Sequence, residues 1–207
     1  MTSDASTSAR DSPPARPPAR PPDGPGRYAC VEIERRWVLA EAPDPASAVA
    51  VRHLVDRYVV GTRLRLRLQT TDGGPTLRKF TQKVPGPEGS GRPGNGHQGL
   101  LTNTYLDEAE YDVLAALPAL ELRKTRYRVA PFGIDVFAPP LDGLVLAEIE
   151  FPDVDAAARS PIPPGAVAEV THDPRFTGGR LVRTTATELR AWLAELGGPF
   201  VPRGDSS

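Results

Sequence analysis

The chain has 207 residues, with 25 lysines and arginines against 26 aspartates and glutamates, for a formal net charge of -1. That length suits one domain with a substantial core, and the near-neutral balance excludes a general electrostatic affinity for nucleic acid or a membrane surface. The lone cysteine, Cys30, excludes an internal disulfide framework, and no apolar run approaches a membrane span or a secretory signal core, so a cytoplasmic protein is expected.

Residues 1–27 are Ser, Pro, Arg, Asp and Gly with almost nothing to bury, and SPPARPPARPP reads as an extended, solvated, disordered tail. The folded domain is expected over 28–203. It opens with a strand at Tyr28–Leu39, broken by Pro43-Asp44-Pro45. A short helix is predicted at Ala46–His53 behind an Asp44 or Ser47 cap. Strands follow at Val51–Val60 and Thr62–Thr70, and the hairpin signal Asp72-Gly73-Gly74-Pro75 returns the chain as Leu77–Val84. The stretch 85–99 holds six glycines and three prolines and reads as a mobile loop.

Leu100–Leu106 is a further strand. Asp107–Leu117 is the clearest helix, with Asp107 as cap, Glu110 three residues on, and Tyr111, Leu114 and Leu117 as its apolar stripe. Strands at Glu121–Val129, Ile134–Phe137 and Leu144–Phe151 precede a break at Pro161–Pro164. Thr187–Leu196 is amphipathic, turns Leu189, Trp192, Leu193 and Leu196 inward, and stops at Gly197-Gly198. About eight strands with two or three helices make an α+β domain dominated by antiparallel sheet.

Four stretches carry charge on alternate residues: Glu32-Ile33-Glu34-Arg35-Arg36, Arg63-Leu64-Arg65-Leu66-Arg67, Lys124-Thr125-Arg126-Tyr127-Arg128 and Glu148-Ile149-Glu150. In a strand, residues i and i+2 share a face, so each stretch presents a row of charges on one side and mostly apolar side chains on the other. One such row is usually a solvated face. Four rows in one domain, with acids on the first and last, favour a closed barrel with a wet, charged interior and an apolar outer wall covered by helices. The only lysines, Lys79, Lys83 and Lys124, all fall in these strands or beside them. A mixed wall of cations and carboxylates suits a polyanion held with a metal ion.

Several segments, in order, resemble those of the CYTH superfamily, the triphosphate tunnel metalloenzymes. Glu32-Ile33-Glu34-Arg35-Arg36 resembles the family signature ExExK, with Arg36 in place of the final lysine. Leu64-Arg65-Leu66-Arg67 is similar to the paired arginines, and Phe80-Thr81-Gln82-Lys83 to the Leu-Thr-x-Lys strand. Arg123-Lys124-Thr125-Arg126-Tyr127, the strand around Asp135, Leu146-Ala147-Glu148-Ile149-Glu150 and Glu169-Val170-Thr171 continue the match over about residues 28–180.

The resemblance implies an eight-stranded antiparallel β tunnel, open at both ends, that grips a triphosphate with basic side chains and holds Mg²⁺ or Mn²⁺ with acidic ones. Carried over residue by residue, it implies Arg36, Arg65, Arg67, Lys83, Lys124 and Arg126 as phosphate ligands. Glu32, Glu34, Glu148 and Glu150 are implied as metal ligands, Glu148 or Glu150 as the carboxylate that activates water, and Lys79 and Asp135 as further candidates. Arginine forks and lysine point charges both suit phosphate, and hard divalent cations take oxygen ligands. Thr102-Asn103-Thr104 stands where many family members carry a further acidic pair, so the metal site loses up to two carboxylates.

The expected activity is metal-dependent hydrolysis of a small triphosphate, inorganic tripolyphosphate first. The alternatives are a polyphosphate- or triphosphate-binding module without turnover and a class IV-type adenylate cyclase, for which no base-recognition cluster is visible. His53, His97 and His172 lack metal-like spacing.

Overall fold

A computed structural model describes residues 28–85 and 97–197. The expected tail at 1–27, residues 198–203 of the expected domain and most of the Gly/Pro segment (86–96) lie outside the described residues. Nine strands form one antiparallel sheet: β1 (Cys30–Leu39), β2 (Ala50–Val59), β3 (Leu64–Thr71), β4 (Leu77–Pro85), β5 (His97–Leu106), β6 (Ala119–Val129), β7 (Phe132–Phe137), β8 (Val145–Phe151) and β9 (Ala166–Glu169). Their order is β5-β4-β3-β2-β6-β7-β8-β1-β9, and a β1–β5 pairing closes the first eight into a barrel. On that same edge of β1, β5 takes Cys30–Glu34, while β9 takes Trp37, Val38 and Leu39.

The register decides which side chains face inward. Arg36 lies opposite Glu148, Asp56 opposite Arg67, Arg67 opposite Lys79, and Arg126 opposite Asp135. The charged rows therefore share the interior, as the alternation predicts. The odd-numbered side chains of β1 and β8 point outward, where Trp37, Leu39, Phe132, Ile134, Val145 and Ala147 form an apolar layer. Short α2 (Val154–Ala158) packs on this side, and Arg35 fastens it by donating from Nη1 to the Ala157 carbonyl at 3.1 Å.

A second apolar cluster fills one end of the barrel, so the expected tunnel is not open at both ends. Val38, Leu122, Phe137 and Leu146 share the inward parity of the charged rows, and they pack against Phe176, Leu181, Leu189 and Leu193. The last four belong to a 3₁₀ turn at Pro174–Phe176, α3 (Gly178–Leu181) and α4 (Ala186–Glu195). Fully burying a leucine such as Leu189 is worth roughly 2 kcal/mol, so the plug is a stable part of the fold. A capping box between Thr185 and Glu188 starts α4, and Gly197, at φ 75°, ends it.

α1 (Glu108–Ala115) has the predicted Asp107–Glu110 capping box and buries Tyr111. Leu117, predicted on the same stripe, is exposed. The helix predicted at Ala46–His53 is only a 3₁₀ turn at Pro45–Ser47, capped by Asp44 as expected. Ala50–His53 joins β2 instead, because pairing with both β3 and β6 satisfies its backbone on each edge. No helix among the described residues is long and apolar enough to cross a membrane.

Candidate active site

The barrel encloses a cavity of about 480 Å³. Eleven of the side chains predicted from sequence line it: Glu32, Glu34, Arg36, Arg65, Arg67, Lys79, Lys83, Lys124, Arg126, Glu148 and Glu150. Asp135 does not. It is completely buried on the inner face, beneath the lining side chains, where it accepts Arg126 Nε and Nη2 at 2.6 and 2.7 Å and binds Lys124 Nζ. It engages two of the lining cations from beneath.

Among the lining groups the charges are largely paired. Arg36 donates from Nε to Glu148 at 2.9 Å and from Nη2 to Glu34 at 2.7 Å. Glu148 gives its other oxygen to Arg126. Burial raises the Glu148 pKa, but Arg126, Arg36, Lys124 and Lys83 overcome it and hold the carboxyl well below its ordinary range. Lys83 lies 2.5 Å from Glu32 and 3.3 Å from Glu34.

Two groups stand apart. Glu150 makes no ion pair among the described residues and lies directly opposite Glu34 on β1, an unfavourable like-charge pairing. Burial, then Glu32 and Glu34, push its pKa up. On the opposite wall, burial and the neighbouring Arg67 and Arg65 pull Lys79 down to about 8. The barrel thus has a site short of positive charge at one place and crowded with it at another.

These observations bear on a divalent cation. Among the described residues no group of three His, Cys, Asp or Glu side chains is placed to hold a metal ion, and Glu34 and Glu148 both accept from Arg36. The oxygen-only donor set still fits Mg²⁺ or Mn²⁺. Glu32 Oε2 is buried with only the Lys83 ammonium beside it, and Glu32 and Glu34 press on Glu150 at a spot a cation would relieve. Mg²⁺ in particular keeps water and asks for only one or two carboxylates beside substrate phosphate.

Sequence reasoning missed other lining residues. Tyr58 comes from β2, two residues after the fully buried Asp56, and the two were legible only as an inward-facing i, i+2 pair in a strand whose other face also carries charge. Arg63 lines the cavity too, and so do Thr171–Pro174 and Thr177–Gly179, from the segment that follows β9. That segment is tied down through Thr171, whose hydroxyl accepts Arg36 N at 3.0 Å and donates to Glu169 at 2.6 Å, while Arg35 forks onto Glu169. On β5, Asn103 accepts the Thr81 hydroxyl at 2.8 Å, a neutral contact where an acid would have been a ligand.

Gly178 in this segment has a specific reason to be glycine. A Cβ there would lie 2.0 Å from the Tyr58 hydroxyl and 3.0 Å from its Cζ. Gly178→Ala should therefore cost roughly 1–3 kcal/mol in thermal unfolding, and Tyr58→Phe in the same chain should restore part of it by removing the clashing oxygen. Equal stability of Gly178→Ala and wild type would refute the contact.

A closed antiparallel barrel with one plugged end and a mixed wall of guanidiniums, ammoniums and carboxylates defines a charged-tunnel protein. No family model matches the chain. It is 33% identical over 156 residues to the inorganic triphosphatase of Nitrosomonas europaea, an alignment covering 70% of this chain and 92% of that protein. Among solved structures, that of the hypothetical protein NE1496 aligns at TM-score 0.48 and 28% identity, over 74% of this chain and 99% of that one. The structure of the inorganic triphosphatase NE1496 aligns at TM-score 0.47 and 27% identity, over 74% and 95%. The chain belongs to the CYTH superfamily of triphosphate tunnel metalloenzymes.

Proposed function

We propose that the protein hydrolyses a small triphosphate, inorganic tripolyphosphate foremost, with the help of Mg²⁺ or Mn²⁺. The observation that carries this reading is the convergence of eleven predicted charged side chains on one cavity of about 480 Å³. The identity to an inorganic triphosphatase supports the substrate class. The lone cysteine, Cys30, is a free thiol, which suits a reducing cytoplasmic setting.

The cationic wall formed by Arg65, Arg67, Lys83, Lys124 and Arg126 binds and orients the phosphates. Glu32, Glu34 and Glu150 would hold the cation, whose chemistry is to neutralise charge on phosphate oxygens as the leaving pyrophosphate departs. The two carboxylates expected to activate water divide their roles. Both oxygens of Glu148 are engaged by arginines, so it orients Arg36 and Arg126. Glu150 makes no ion pair among the described residues, which leaves it as the carboxylate that takes the proton of the attacking water.

Lys79 gives the reading a pH signature. A bound polyanion favours its charged form, so tripolyphosphate affinity should fall as pH rises through about 8. Titration calorimetry between pH 6.5 and 9.5 measures this. A flat affinity across that range would remove Lys79 from the binding wall.

One observation favours turnover-free binding as a second reading: Leu101 and Asn103, opposite Lys83 and Thr81, give the inner face of β5 no carboxylate. Phosphate release from tripolyphosphate, ATP and thiamine triphosphate, with Mg²⁺, Mn²⁺ or chelator, separates the two. Metal-dependent release confined to tripolyphosphate supports the hydrolase. Saturable binding with no release supports the binding module.

A further inference from the structure

Asp56 is completely buried on β2, a strand from which the expected site drew no residue. It accepts Arg67 Nε at 2.6 Å and Nη2 at 2.7 Å across the β2–β3 pairing. On the far side of β6, Asp135 grips Arg126 by the same two nitrogens at the same distances, 2.6 and 2.7 Å. The barrel thus contains two matched forks, each an inward arginine held along one edge by a fully buried aspartate on a neighbouring strand.

The chemistry of the guanidinium gives this arrangement a use. Of its five N–H donors, the fork occupies one on Nε and one on Nη2, so three remain for other acceptors, including both on Nη1. Arg67 lines the cavity, so the donors left over by the fork are its means of contacting a ligand there. The same guanidinium also feels the positive charge of Arg126, and Lys79 feels that of Arg67 and Arg65. Without a fixed counter-charge these cations would separate before any anion arrived. Arg65 Nε, at 3.8 Å, is beyond hydrogen-bond reach of Asp56, so the direct link runs through Arg67. Asp56 is itself out of reach of ligand.

We propose that Asp56 is a positioning residue that holds Arg67 in its phosphate-gripping pose before the ligand binds, the counterpart of Asp135 behind Arg126. This rests on the triphosphate-binding reading above, in which Arg67 is a phosphate ligand. Preorganised forks of this kind lower the ordering cost of binding.

The test uses the full chain and imido-bridged tripolyphosphate, which carries the same charges and resists hydrolysis, with Mg²⁺ present and absent. Calorimetric affinity is measured for wild type, Asp56→Asn, Arg67→Gln and the double variant. Asp56→Asn is expected to weaken binding about ten-fold, and the double variant to bind no more weakly than Arg67→Gln alone. Wild-type affinity in Asp56→Asn, or losses that multiply in the double variant, would overturn the role. Should Asp56→Asn fail to fold, the double variant against Arg67→Gln decides: equal affinity supports the proposal and a further loss overturns it. Failure of wild type to bind at all would overturn the triphosphate reading, and the positioning role with it.

Discussion

Glu150→Gln is expected to reduce turnover by roughly a hundredfold or more while leaving the protein as stable as wild type, or more stable. The expectation follows from a carboxylate that has no cationic partner among the described residues and sits opposite Glu34. Burial and the charges of Glu32 and Glu34 raise its pKa, so its ionisation opposes folding. The sign follows from linkage. A group titrating higher when folded makes stability fall as pH rises from its ordinary value of 4.5 through the raised one. An uncharged amide removes that penalty, together with the proton acceptor and metal ligand proposed for this position. Steady-state kinetics and thermal unfolding at pH 7.5 measure both halves. A destabilised but active variant would contradict the assignment twice over.

Two residues earlier on the same strand, the opposite behaviour is expected. Glu148→Gln should lose turnover and also about 3 kcal/mol of stability, because it leaves Arg36 and Arg126 facing one another in a buried site without their shared carboxylate. Burial works against the Glu148 charge, but Arg126, Arg36, Lys124 and Lys83 depress its pKa well below 4.5. Its stabilising contribution is complete above 4.5 and is lost as pH falls through the depressed value. The stability gap between wild type and Glu148→Gln should therefore narrow in strong acid. A gap independent of pH, or no gap at neutral pH, would show that Glu148 is not the bridge between the two guanidiniums.

The charged interior was legible because its rows obey the two-residue period of a strand without interruption. Glu32-x-Glu34-x-Arg36 and Lys124-x-Arg126 need no tertiary information to place their charges on one face. α1 was readable from its Asp107–Glu110 capping pair, and α4 from its apolar stripe and the glycine that ends it. What the sequence concealed depended on neighbours distant in the chain. In β2 both faces carry charge: Asp56 faces in toward Arg67, while Arg57 faces out to Glu121 and the Ala115 carbonyl, so no row appears. β9 is only four residues, Ala166–Glu169, and exists because β1 offers it an edge. The plug was invisible because Val38, Leu122, Phe137 and Leu146 look like ordinary strand residues until Phe176, Leu181, Leu189 and Leu193 arrive from the far end of the chain.

The plugged end also corrects the tunnel picture. With that end filled by an apolar core, a polyphosphate cannot thread straight through among the described elements. The charged groups lie above that floor, with the Thr171–Gly179 segment forming part of the wall. A short anion with several closely spaced charges matches such a chamber better than a long chain.

The most direct measurement is ³¹P NMR of tripolyphosphate incubated with the full chain and Mg²⁺ or Mn²⁺, and with chelator in parallel. The account predicts equal amounts of orthophosphate and pyrophosphate growing at the expense of tripolyphosphate, only when metal is present. Tripolyphosphate that stays intact with either metal, even while it binds, would contradict the hydrolase and leave a binding protein in its place.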